Sequence, residues 1–169
     1  MKAKLIVEGK EFPIEIQDPE LEKLLKPKNK TGYERCKPGE KYYLCTDGMS
    51  QACDFEESGD SIDDGRYERG IYYSDPTVAE NNARADKLMR QLRRFAVEHR
   101  EDNFNWRDSS TRKYYIYYNH ELQKLFHDHW HYLQGFNVIH FESEDAVELA
   151  IKIFHDELIW YFTEYKDSL

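Results

Sequence analysis

The chain has 169 residues, of which 40% are apolar and 15% aromatic, and its formal net charge is −9. So much apolar and aromatic side chain excludes a disordered protein, and the negative balance argues against nonspecific nucleic-acid binding by the chain as a whole. Residues 76–107 carry 7 basic and 5 acidic side chains, against 12 and 17 in residues 1–75 and 5 and 11 in residues 108–169. The positive charge is therefore confined to one band.

The opening MKAKLIVEGK lacks the apolar run of a signal peptide, and no window approaches a membrane span. A cytoplasmic location and no membrane association are expected. Cys36, Cys45 and Cys53 are odd in number and lack C-x-x-C spacing, so neither a disulfide framework nor a cysteine zinc site is expected.

In chain order, LIVEGKEFPIEI alternates on either side of Gly9 and predicts a β-hairpin, with Pro13 favouring an edge strand. Asp18-Pro19 opens a short helix, DPELEKLL, with Asp as cap and Pro in the first turn. Residues 26–40, with two prolines and two glycines and no periodicity, read as a linker.

A repeat follows. Lys41-Tyr42-Tyr43-Leu44 matches Lys113-Tyr114-Tyr115-Ile116, and Tyr73-Ser74-Asp75 matches Phe141-Glu142-Ser143, each an aromatic strand end running into a helix cap. The first pair of words is 72 residues apart and the second 68, which predicts two related strand-strand-strand-helix units. Strands are expected near Lys41–Thr46, Ser50–Phe55 and Ile71–Tyr73, with an acidic loop before the last. The second unit's strands are expected near Lys113–Tyr118, Leu122–Tyr132 and Phe136–Phe141. The fold class is thus α+β: an N-terminal part (1–40), a first unit (41–101) and a second (112–169), possible halves of one compact domain.

The helix from Asp75 to Arg100 is the clearest element. Asp75 caps it, Pro76 suits its first turn, and Ala85, Leu88, Leu92, Phe95 and His99 form one stripe at steps of three and four. The closing helix, Glu144 to Lys166, places Val147, Ala150, Phe154, Leu158, Phe162 and Tyr165 on one side. Leu149, Ile153 and Trp160 form a second strip, so it is expected to be sandwiched or to make a subunit contact, with a homodimer through the long helices as one outcome.

Three residue sets carry candidate chemistry. Asp54, Glu56, Glu57, Asp60, Asp63 and Asp64 form an acidic run, a solvated loop or a carboxylate array for a basic groove. It fails as a calcium loop, because Ile62 and Ile71 stand where ligands belong. Arg84, Lys87, Arg90, Arg93 and Arg94 give the long helix a basic face for phosphates, or for acids of the other unit or a second subunit. His127, His129 and His131 share one strand face in FHDHWHY, either as a metal-binding row or as polar surface. The opposite face, with Leu122, Phe126, Trp130 and Tyr132, is expected in the core and the histidines in water. Gly70-Ile71-Tyr72 opens like a GIY-YIG nuclease, but no Tyr-Ile-Gly follows. No phosphate loop, dinucleotide glycine motif, Gly-x-Ser-x-Gly or His-Glu-x-x-His occurs, so no cofactor is implied.

Two segments, GEKYYLCTDG with SIDDGRYERGIYYSD leading into AENNARADKLMRQLRRFA, and KYYIYY with HFESEDAVE leading into DELIWYFTEYKDSL, resemble an accessory-protein family of phages and mobile elements of Gram-positive and gut bacteria. The resemblance implies a phage or prophage accessory role in a bacterial host cell, and it transfers no catalytic residues. With no catalytic signature present, the expectation is a non-enzymatic binding protein: an acidic inhibitor of a host nucleic-acid-handling defence enzyme such as a CRISPR nuclease. The alternative is a nucleic-acid-binding accessory protein using the basic helix. A metal-dependent enzyme built on the histidine strand is a more distant one.

Overall fold

A computed structural model describes residues 2–7, 10–15, 30–46, 51–100 and 105–165, and among the described residues there are three antiparallel hairpins, four α-helices and a π-helical turn. The predicted N-terminal hairpin is present as β1 (Lys2–Val7) and β2 (Lys10–Glu15), with Leu5 opposite Phe12 and Lys4 opposite Pro13. The helix expected after Asp18 lies outside the described residues.

In the first unit β3 (Lys41–Leu44) pairs with β4 (Cys53–Glu56), placing Tyr42 opposite Phe55 and Tyr43 opposite Asp54. The expected third strand is reduced to a single bridge, in which Tyr43 and Tyr73 exchange both backbone bonds at 2.7 and 3.0 Å. The expected acidic loop is corrected: Ser61–Glu68 is a helix, α1. The Asp60 carboxylate starts it by accepting from the backbone of Ile62 and Asp63 at 2.8 and 3.0 Å. Residues 30–40, expected as linker, are tied to this unit, since Arg35 bonds Glu57 and the Cys36 backbone donates to the Tyr72 hydroxyl.

The long helix, α2 (Pro76–Glu98), begins as the sequence dictates. Asp75 accepts from the backbone of Thr77 and Val78 at 2.8 and 3.2 Å, and Pro76 occupies the first turn. Ala85, Leu88, Leu92 and Phe95 are buried along the stripe, while His99 ends the helix with its ring stacked 3.9 Å from that of Phe95. This helix serves both units. Leu88, Leu92, Phe95 and Ala96 pack with Tyr114, Phe141, Val147, Ala150 and Leu158 in the larger core, whereas Tyr42, Leu44 and Tyr72 form a separate small core.

The second unit pairs β5 (Lys113–Asn119) with β6 (Lys124–Trp130) through a turn at 120–123, in which the Asn119 side chain accepts from the Leu122 backbone at 2.9 Å. Here too the third strand is one bridge, between Tyr114 and Phe141. The Ser143 hydroxyl then accepts from Ala146 N at the start of α3 (Glu144–Ile153). The expected single closing helix is interrupted at Phe154 (φ −103°, ψ 16°) and continues as α4 (His155–Trp160) and a π-helical turn (Tyr161–Tyr165).

The bridges show how the units correspond. Tyr43 and Tyr114 hold the same place, 71 residues apart, so the two Lys-Tyr-Tyr words lie one residue out of register. A one-residue slip turns every side chain to the other face. The equivalent of Tyr42 is therefore Lys113, and both are completely buried. Lys113 Nζ donates to the carbonyls of Asp108, Thr111 and His131 at 2.7, 2.9 and 2.7 Å, replacing hydration with three backbone acceptors.

Candidate functional site: an outward aromatic face

Hairpin β5–β6 has two unlike faces. One carries Tyr114, Ile116, Leu125 and, on β6, His127 and His129; it lies against α3 and the core. The other carries Tyr115, Tyr117, Phe126, Asp128 and Trp130. Its rings form a chain, with Tyr115 and Trp130 at 4.4 Å, Tyr115 and Tyr117 at 6.1 Å, and Tyr117 and Phe126 at 5.8 Å. Against the expectation that Phe126 and Trp130 are core and the histidines wet, all four are half-buried, with His127 and His129 on the face toward the larger core and Phe126 and Trp130 on the other. Period-2 alternation groups the residues correctly but does not say which group turns inward when both contain rings.

The near end of the aromatic face is closed. His140 is buried against Trp106 at 4.7 Å and Trp130 at 5.6 Å. Neither of its ring nitrogens has a hydrogen bond of normal geometry among the described residues, although the Lys113 backbone lies close. Burial holds its pKa below the ordinary 6.5. Toward the turn end Tyr117 and Leu122 are exposed, and the loop that leaves the opposite end of β6 carries Tyr132 (75% exposed), Leu133 (63%) and Phe136 (101%).

That loop is nonetheless pinned. A Cβ on Gly135 would meet Val138 Cγ2 at 2.7 Å and the Trp130 ring at 3.1 Å, so the backbone passes where only glycine fits. Asn137 takes a left-handed φ of 58°, and its side-chain oxygen accepts from Arg93 at 2.9 Å. The aromatic tip is thus presented by a braced segment. A cavity of about 130 Å³ between α2 and the π-helical turn, lined by Leu92, Ile116, Phe141 and Phe162, is too small for a nucleotide-sized ligand.

The acidic run is largely consumed by the fold. Glu57 is 2% exposed; it binds Arg35 at 3.0 Å and accepts from the Tyr72 hydroxyl at 2.6 Å, and Arg35 foremost holds its pKa below the ordinary range. Asp63 is 3% exposed. It accepts from the Tyr42 hydroxyl at 2.6 Å and from Ser58 N and Oγ at 2.8 and 2.7 Å, with Tyr42 as the main cause of its lowered pKa. Arg66 also contacts the Tyr42 hydroxyl. Asp54 pairs with Lys41, Asp64 with Arg35, and Asp60 caps α1; Glu56 alone of the six is exposed without a bonded partner among the described residues.

On α2, Arg84 pairs with Glu157 through Nε at 2.9 Å and Nη2 at 3.1 Å, and its guanidinium stacks 3.9 Å above the Trp160 ring. It joins the two units. Arg93 is held by Asn137 and Arg94 lies near Glu98, while Lys87 and Arg90 are exposed with no ion pair among the described residues. Two of the five basic residues are thus taken up by contacts with the second unit.

The histidines are divided. His127 points toward Glu144 and Glu148 of α3, His129 rests near the Tyr114 ring at 5.5 Å, and His131, beyond the strand, has Nδ1 2.9 Å from the Ser109 carbonyl oxygen. The approach of Glu144 and Glu148 to His127 is missed by the sequence reading; the only sequence signal is their spacing of four on one helix. All three cysteines are free thiols, and no helix among the described residues is long and apolar enough to cross a membrane. Comparison with protein-family models, with curated proteins and with solved structures gives no match.

Proposed function

We propose that the protein is a non-enzymatic binding protein that docks a basic, nucleic-acid-handling partner protein through the outward face of β5–β6 and the Tyr132–Phe136 tip. The reading is supported above all by Phe136, a large apolar ring left wholly in solvent on a braced loop that also carries the exposed Tyr132 and Leu133. Exposed aromatic residues on a preorganised segment are what interface anchors require, because little ordering entropy is lost on docking. Charge complementarity selects the partner. Residues 108–169 hold 11 acidic and 5 basic side chains, and Asp128 is exposed on the outward face itself, so a nucleic-acid strand is repelled and a basic protein surface attracted.

A phage or mobile-element protein acting on a host defence nuclease is the setting that the sequence resemblance suggests. The anchors differ from the acidic run, since neutralising Glu57 or Asp63 removes bonds that hold the first unit together. The test is a binding and cleavage assay with purified basic bacterial nucleases in nuclease-treated buffer. Binding that blocks cleavage, weakened about 30-fold by Phe136→Ala, is the expected outcome. Unimpaired cleavage, inhibition indifferent to Phe136→Ala and Tyr117→Ser, or a chain that dimerises through this face would each overturn the proposal.

A further inference from the structure

The inward face of the same hairpin holds a second arrangement, independent of the docking surface. His127 stands in the middle of β6 and faces the first turns of α3. Its Nε2 lies 3.6 Å from a Glu148 carboxylate oxygen and 4.0 Å from one of Glu144. The three donor atoms all fall within 4.8 Å of one another. The supports are rigid: Ser143 fixes the start of α3, and His127 is held in the ladder opposite Ile116.

Two observations ask for a cation. Glu144 and Glu148 are four residues apart on one helix face, where like charges repel. Neither has an ion pair among the described residues other than with His127. The neighbouring guanidinium, Arg112, lies beside the Tyr114 hydroxyl, with Glu144 a more distant influence on it. The spacing also suits a metal. Bonds of about 2.1 Å in tetrahedral geometry put ligand atoms about 3.4 Å apart, so the gaps from His127 close by about 0.2 and 0.6 Å and that between the two exposed carboxylates by no more than about 1.4 Å.

We infer that His127, Glu144 and Glu148 form a binding site for a divalent transition-metal ion of the zinc class. One imidazole with two carboxylates favours zinc, cobalt or manganese over calcium and magnesium, which prefer all-oxygen shells. With the carboxylate side chains 59% and 62% exposed, three protein ligands leave at least one position open to water. The set differs from the row expected on the strand: His127 is kept, and His129 and His131 are replaced by two glutamates from α3.

Isothermal titration of the chelator-stripped full-length chain with zinc chloride tests the site. One zinc per chain is expected, not displaced by millimolar magnesium. His127→Gln, Glu144→Gln and Glu148→Gln should each weaken binding at least tenfold, whereas His129→Gln and His131→Gln leave it within about threefold. The two glutamates are exposed, so their variants keep the fold, as circular dichroism would verify. No zinc uptake, uptake that survives the Glu144→Gln/Glu148→Gln double variant, or uptake that follows His129 and His131 instead would overturn the inference.

Discussion

Lys113 is the residue whose removal the fold should tolerate least. Its ammonium is fully buried, and it alone joins three carbonyls from the inter-unit connector and the end of β6. Lys113→Met keeps the aliphatic stem but strands those acceptors without water. A loss of about 3 kcal/mol is expected, read as a lower urea midpoint at constant slope. Tyr42, its counterpart, makes the same kind of internal bond with Asp63 through a hydroxyl. Nothing in the repeated Lys-Tyr-Tyr word announced that lysine in one copy does the work of tyrosine in the other. The residue types were legible; their register was set by the bridges Tyr43–Tyr73 and Tyr114–Phe141, which are tertiary facts.

Among the elements, α2 was readable because cap chemistry and a 3.6-residue stripe agree over 23 residues. Helix α1 was not: Asp, Ser and Gly favour loops, and the helix is held by Asp63 bonding outward to Tyr42 and Ser58. The face of β6 was ambiguous for the reason already given, and with it went the site. The start of α2 supplies a test. Gly32 has φ +87°, and a Cβ there would lie 2.6 Å from Val78 Cγ2 and 3.2 Å from Asp75 Cβ. Gly39 has the same φ with open space around it. Gly39→Ala should therefore cost only the left-handed strain, about 1 kcal/mol, and Gly32→Ala more than about 2 kcal/mol, compared by thermal unfolding of the two variants.

For the molecule as a whole, α2 should make the two units one cooperative body. It closes the first unit and supplies Leu88, Leu92 and Phe95 to the core of the second. A chain ending near residue 100 should expose that stripe and aggregate, and the intact chain should melt in a single transition, coincident by near- and far-ultraviolet dichroism. Stability should also depend on pH in two acid steps. His140 has a folded pKa below 6.5, so the unfolded chain takes up a proton first; stability is full above about pH 6.5 and falls as the pH drops through the folded value. Glu57 and Asp63 are likewise depressed from 4.5 and 3.8, adding a second decline below about pH 4.5. His140→Phe should flatten the first step and leave the second; urea titrations across that range would show it. At the alkaline edge burial pushes Tyr73 up to about 12, so stability present below pH 10 fades as the pH rises toward that value.

The aromatic enclosure of His140 also gives the protein an optical voice. Two of its three tryptophans, Trp106 and Trp130, stand with ring centroids 4.7 and 5.6 Å from that imidazole, while Trp160 lies apart beneath Arg84. A protonated imidazole quenches indole emission and a neutral one does so far less. The native emission should therefore stay bright below the pH at which free histidine dims a neighbouring indole. It should then dim as the enclosure opens, so the unlabelled chain signals its own loosening.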